Sequence, residues 1–173
     1  PLILLSLPTM LTFFGLHPEY KEEVFALNDK RALIIATNHG VLNKPNETNG
    51  KATGLFRSEL SVPYFRFIES GITVDIASIK GGKIPLEPLP YFIKTNEDKE
   101  FLNNKDLMSK LNNSISIEYI NFEEYDIVFL SGGWGAAYDL GFSELLGEKI
   151  SLAYYSEKKP IIGGICHGVL GFI

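Results

Sequence analysis

The sequence predicts an α/β domain built on a mainly parallel sheet with helices on both faces. Three observations predict it. Short runs rich in branched apolar residues alternate with longer segments of helical spacing. Each run ends in a polar or glycine-rich stretch that suits a turn. The 173 residues, 45% of them apolar, are enough for one domain with a sizeable core.

The first strand is expected at residues 32–37 (ALIIAT), a continuous apolar run of the kind buried on both faces of a sheet. Residues 38–50, with two Gly, one Pro and four Asn, read as a loop. A helix is expected within 53–71, where Leu55, Leu60, Tyr64, Phe67 and Ile68 recur at helical spacing and Gly71 stops the pattern. Pro63 falls inside it, so a kink or break is expected there. Residues 72–77 (ITVDIA) form the second strand, 78–94 a long loop, and 96–113 a polar, weakly helical stretch. A third strand is expected at 126–130 (DIVFL), followed at once by the turn 131–135 (SGGWG). Residues 144–158 fit a helix with Leu145, Ile150, Ala153 and Tyr154 on one side, and 160–165 (PIIGGI) a fourth strand ending at Cys166. Right-handed crossovers then bring the loops after Thr37, Ala77, Leu130 and Ile165 to one rim, where such sheets bind ligands.

Composition excludes several functions. The formal charge of −5, with sixteen scattered Lys and Arg, argues against nucleic acid as a partner. Cys166 is the only cysteine, so no intrachain disulfide and no multi-thiolate metal site can form. His17, His39 and His167 show no ligand spacing, so no metal is expected. Residues 1–16 (PLILLSLPTMLTFFGL) are apolar and uncharged, too short for a spanning helix and long for a signal core. They read either as a short helix capping the domain or as the remnant of an anchor or signal, which leaves membrane contact open. The chain thus divides into an apolar segment, 1–18, and one domain, 19–173. A doubly wound domain would continue past the fourth strand, so a further C-terminal part is expected. Residues 1–173 by themselves are expected to be unstable unless another chain or a swapped segment covers the exposed face.

The chemistry concentrates on Gly163-Gly164-Ile165-Cys166-His167-Gly168. A nucleophile between an apolar strand and a helix start, flanked by glycines, has the sterics of a nucleophile elbow. A helix starting at His167 would aim its positive end at the sulfur and favour the thiolate. The 131–135 turn should lie at the same rim, and its backbone amides could stabilise an oxyanion, with Gly133 paired to the amide of His167. Alone, Glu59 would read as a solvated helix residue.

Residues 53–82 (TGLFRSELSVPYFRFIESGITVDIASIKGG), 132–141 (GGWGAAYDLG) and 164–168 (GICHG) together resemble the DJ-1/PfpI superfamily, and most closely its Hsp31-like, glyoxalase III branch. The resemblance runs from about Ala32 to the end. It implies a flavodoxin-like sheet, a homodimer and a cytoplasmic location. It implies a cofactor-independent enzyme that converts methylglyoxal or another 2-oxoaldehyde to a 2-hydroxy acid such as D-lactate. By that resemblance Cys166 is the nucleophile and Glu59 is an acid held protonated against the sulfur. Gly133 and His167 take the oxyanion-hole positions, and His167 also partners the cysteine. Trp134 stands where many relatives carry His, which removes a proton relay there. The third acid of the family's triad lies downstream of Ile173. Two further readings use the same cysteine: a stress-responsive holdase or redox sensor, and an amidase or peptidase.

Overall fold

The computed structural model describes residues 24–88 and 96–173, together with Met10 and Phe13. The segment 1–18 therefore lies almost wholly outside the described residues.

Strand β1 (Arg31–Ala36) is the apolar run expected from sequence, and Ala32 through Ala36 are all fully buried. Next comes a small antiparallel hairpin, β2 (Val41–Asn43) and β3 (Gly50–Ala52), inside the stretch read as loop. Helix α1 (Ser58–Glu69) starts later than the pattern suggested. Leu55 is not helical but bridges in parallel to Leu86, because Gly54 (φ +146°) turns the chain there. The helix passes through Pro63 unbroken, with the missing amide falling over the Glu59 carbonyl one turn back. Strand β4 is Thr73–Ser78.

The weakly helical stretch resolves into α2 (Asn96–Asn103) and α3 (Lys105–Asn112). Asn104 separates them and caps α3, its Oδ1 accepting from the Leu107 amide. The two-residue β5 (Ile115–Ser116) was not expected. Strand β6 (Ile127–Leu130) leads to the short α4 (Ala136–Asp139). Helix α5 (Glu144–Tyr155) is capped by Ser143, and β7 is Ile161–Gly164. The buried face of α5 is Leu146 and Ala153, with Ile150 packed against them. Leu145 and Tyr154, expected inward, are 37% and 62% exposed. Leu146, Ile150 and Ala153 keep to the i, i+4, i+7 stripe, and the adjacent Leu145 made the helical phase ambiguous.

All pairs in the five-stranded sheet are parallel, in the order β5-β4-β1-β6-β7. Setting aside the two-residue β5, the long strands run second-first-third-fourth, the flavodoxin-like order. One core layer joins Ala32, Ile34, Val74 and Ile76 to Leu60, Tyr64, Phe101 and Leu107. The other joins Leu33, Ile35, Val128 and Leu130 to Ala136, Leu140, Leu146 and Ala153. Alternate residues of β1 thus serve opposite layers, as a strand covered on both faces requires. Among the described residues no helix is long and apolar enough to cross a membrane.

Candidate active site

Beyond Ile165 the chain turns sharply. Cys166 takes φ 53°, in the left-handed region that residues with a Cβ avoid, and its side chain is exposed. The chain then continues not as the expected α-helix but as a 3₁₀ helix, Cys166–Phe172. Two glycines explain this tighter path. A Cβ on Gly168 would lie 2.4 Å from the Leu130 carbonyl oxygen, and one on Gly171 2.4 Å from a Leu130 methyl. The segment can press onto β6 only because neither has a side chain.

The elbow sets Cys166 Sγ 3.3 Å from His167 Nδ1, close enough to share a proton. The His167 ring packs against Trp134, with centroids 4.4 Å apart and planes tilted by 38°. Trp134 therefore supplies an aromatic neighbour to the histidine beside Cys166. Trp134 is itself 55% exposed beside the cysteine's partner.

Glu59, in the first turn of α1, reaches the same place. Its carboxyl is held above the ordinary value chiefly by burial, and also by the charge of Glu87. The Cys166 thiol, the Gly132 amide and His167 face it and pull the other way. Oxygen Oε2 is buried without a hydrogen-bond partner. A carboxyl with one oxygen buried and unpartnered favours its protonated form, and the nearby thiol is a group with which it can exchange that proton.

Gly132 makes this approach feasible. A Cβ there would stand 2.5 Å from Glu59 Oε2, 2.8 Å from the Ile165 carbonyl oxygen and 2.9 Å from the His167 amide nitrogen. The next residue, Gly133 (φ +95°), which the sequence suggested as an oxyanion donor, packs on the chain at Gly54–Phe56, where its Cβ would fall 2.3 Å from the Gly54 oxygen. Neither the Gly133 nor the His167 amide donates to a backbone carbonyl outside the helices and strands among the described residues. The structure thus brings Cys166, His167, Glu59 and the 131–135 turn together at the carboxyl ends of β6 and β7.

No family model matches the chain. Glyoxalase 3 of Candida albicans is 31% identical over 142 residues, covering 80% of this chain and 58% of that protein. A probable glutathione-independent glyoxalase of Saccharomyces cerevisiae, SNO4, is 32% identical over 152 residues, covering 84% of this chain and 61% of its own length. The crystal structure of glyoxalase III from Candida albicans superposes with a TM-score of 0.69 at 25% identity, covering 84% of this chain and 60% of that one. The chain is thus similar in sequence and fold to proteins named glyoxalase III and glutathione-independent glyoxalase. Rapid Encystment Protein 24 kDa of Francisella tularensis has the same fold (TM-score 0.69, 35% identity, 82% of this chain and 60% of that one). The chain spans about three fifths of the length of the curated relatives it matches.

His39 sits elsewhere. It stacks on Tyr138 (centroids 4.3 Å apart), and its Nε2 lies 2.5 Å from the Val41 carbonyl oxygen and 3.0 Å from Asn43 Oδ1. It thus helps to hold the hairpin. His17 lies outside the described residues, and no group of three or more His, Cys, Asp or Glu that could hold a metal occurs among those described. Two hollows also lie away from Cys166. One, of about 360 Å³, opens beside β7 between Ile150, Tyr154, Tyr155, Ile162 and Phe172. The other opens near Leu27, Lys30 and Asp126.

Proposed function

We propose that this chain carries the cysteine site of a glutathione-independent glyoxalase acting on methylglyoxal or another small 2-oxoaldehyde. The observation that supports the reading most is the half-buried carboxyl of Glu59, its Oε2 shut off from water, beside an exposed cysteine on a strained elbow.

In this reading the Cys166 thiolate adds to the aldehyde carbon, and Glu59 gives its proton to the aldehyde oxygen, leaving a hemithioacetal. The ionised Glu59, or His167, removes the hydrogen from the former aldehyde carbon while the neighbouring ketone oxygen gains a proton. The resulting enediol is protonated at the second carbon and loses the proton from its first oxygen, which gives a thioester. Water hydrolyses the thioester to the 2-hydroxy acid, D-lactate for methylglyoxal, and frees the thiol. Substrate and one water account for every atom. The Gly133 and His167 amides would stabilise the oxyanions of addition and hydrolysis. A cytoplasmic, reducing setting suits the free thiol.

The test is a glutathione-free assay of methylglyoxal consumption by the purified protein, with Cys166→Ala and Glu59→Gln beside it. Turnover in the wild type, and at least a hundredfold less in both variants, supports the reading. Equal turnover in Glu59→Gln removes Glu59 from the mechanism.

A second reading, a holdase, draws on the apolar surface along β7 and α5. Tyr155, Ile161 and Ile173 are 82%, 72% and 89% exposed there. Suppression of client aggregation that survives Cys166→Ala would favour it over the enzyme.

A further inference from the structure

A second carboxylate stands beside Glu59, in a loop whose spacing gave no sign of it. After β4 the chain returns along residues 53–56. The Leu55 amide donates to the Pro85 oxygen (2.8 Å), and the Glu87 amide donates to the Leu55 oxygen (3.0 Å). This docking sets Glu87 at the rim. Its Oε1 accepts from the Trp134 amide at 2.5 Å and from Thr53 Oγ1 at 3.3 Å. Among the described residues Glu87 forms no ion pair with any Lys, Arg or His. An amide and a hydroxyl are what hold this charge in place.

We propose that Glu87 is a positioning residue of the site: its carboxylate clamps the 131–135 turn through the Trp134 amide and presents a fixed negative charge to Glu59. Both consequences come from one side chain. A charge-assisted bond to the amide after Gly133 fixes the peptide on which the oxyanion donors depend. A negative charge that no cation among the described residues pairs with opposes a second one nearby and favours the neutral form of Glu59. The groups facing Glu59 are Cys166 and His167 from the elbow, Gly132 from the turn and Glu87 from this loop. Of these, Glu87 is the one whose charge favours the neutral acid. The inference rests on Glu59 as proton carrier, and its test is chosen to be independent of turnover.

The test compares wild type, Glu87→Gln and Glu87→Ala by carbon NMR of glutamate-labelled protein, the Glu59 signal being assigned with Glu59→Gln. The Gln variant keeps an oxygen for the Trp134 amide but loses the charge. The Glu59 titration midpoint should move to lower pH in both Glu87 variants. Hydrogen exchange of the Trp134 amide should stay near wild type in Glu87→Gln and quicken about tenfold in Glu87→Ala. An unchanged Glu59 midpoint in Glu87→Gln, in a protein that folds as wild type, would overturn the electrostatic role. Unchanged Trp134 exchange in Glu87→Ala would overturn the clamp. Neither readout needs substrate, so a wild type without glyoxalase activity would count against the proposed function and not against this assignment.

Discussion

The two ends of the sheet treat charge in opposite ways. At the amino ends of the strands Asp75, Glu124 and Asp126 each meet a base. Arg31 pairs with Asp75 (3.0 Å) and Glu124 (3.6 Å) and lies over the Tyr125 ring, whose hydroxyl donates to Asp75 (2.9 Å). Asp126 pairs with Lys30 (3.1 Å) and Lys158 (3.3 Å) and accepts from the Arg31 amide (2.9 Å). At the carboxyl ends neither Glu59 nor Glu87 forms an ion pair with a Lys or Arg among the described residues. Asp139 is held above its ordinary value by burial, although the Thr37 hydroxyl and the Asn38 and His39 amides pull it down. Glu59 Oε2 and Asp139 Oδ1 are buried without partners. One end binds the strands together. The other keeps protons on carboxyl groups at pH values where free ones would have lost them, as proton-transfer sites do.

Mutations should therefore separate the ends. The largest effect is expected from Cys166→Ala, with a loss of glyoxalase turnover of roughly a thousandfold or more. Cys166→Gly should be equally inactive yet more stable by about 1 kcal/mol, because glycine accepts the positive φ without strain. A Gly variant less stable than wild type would deny that the elbow is strained.

Gly132→Ala should come next, with kcat/KM about a hundredfold lower, because the new methyl would displace Glu59 or the His167 amide. Its control is Gly147→Ala in α5, where a Cβ meets nothing within 4 Å. That change should raise stability by up to about 1 kcal/mol and leave kcat/KM unaltered.

At the opposite end, Asp126→Asn should cost about 1–2 kcal/mol in denaturant unfolding and leave kcat/KM unchanged. A variant that lost activity while keeping its stability would erase the contrast between the ends.

The smallest effect concerns Glu59 and pH. Its folded value lies above the unfolded one, so its stabilising contribution is full at low pH and is lost as pH rises through the folded value. Glu59→Gln should gain stability relative to wild type as pH rises above the ordinary glutamate value, and match it below that value. A difference independent of pH would mean that Glu59 titrates as a free carboxylate.

Much of this was readable in the sequence, because strands with both faces covered must be apolar throughout. The runs at β1, β4, β6 and β7 announced themselves, and so did the glycines around Cys166. What escaped has no period. The β2–β3 hairpin is short and largely exposed, and β5 is two residues long. The docking of the Glu87 loop depends on backbone bonds from Leu55 to Pro85 and from Glu87 to Leu55, which no side-chain pattern encodes. Likewise Gly132 and Gly133 are neighbours in one motif, and only three dimensions show which lies against Glu59.

The most direct measurement of the Cys166–Glu59 account is proton NMR of methylglyoxal turnover by the protein in D₂O without glutathione. A carboxyl that shuttles the proton exchanges it with solvent, so the account predicts lactate carrying deuterium at its second carbon, and none from Cys166→Ala. Lactate that retains the original hydrogen would indicate a direct hydride shift between the two carbons. That result, or no lactate at all, would contradict the account.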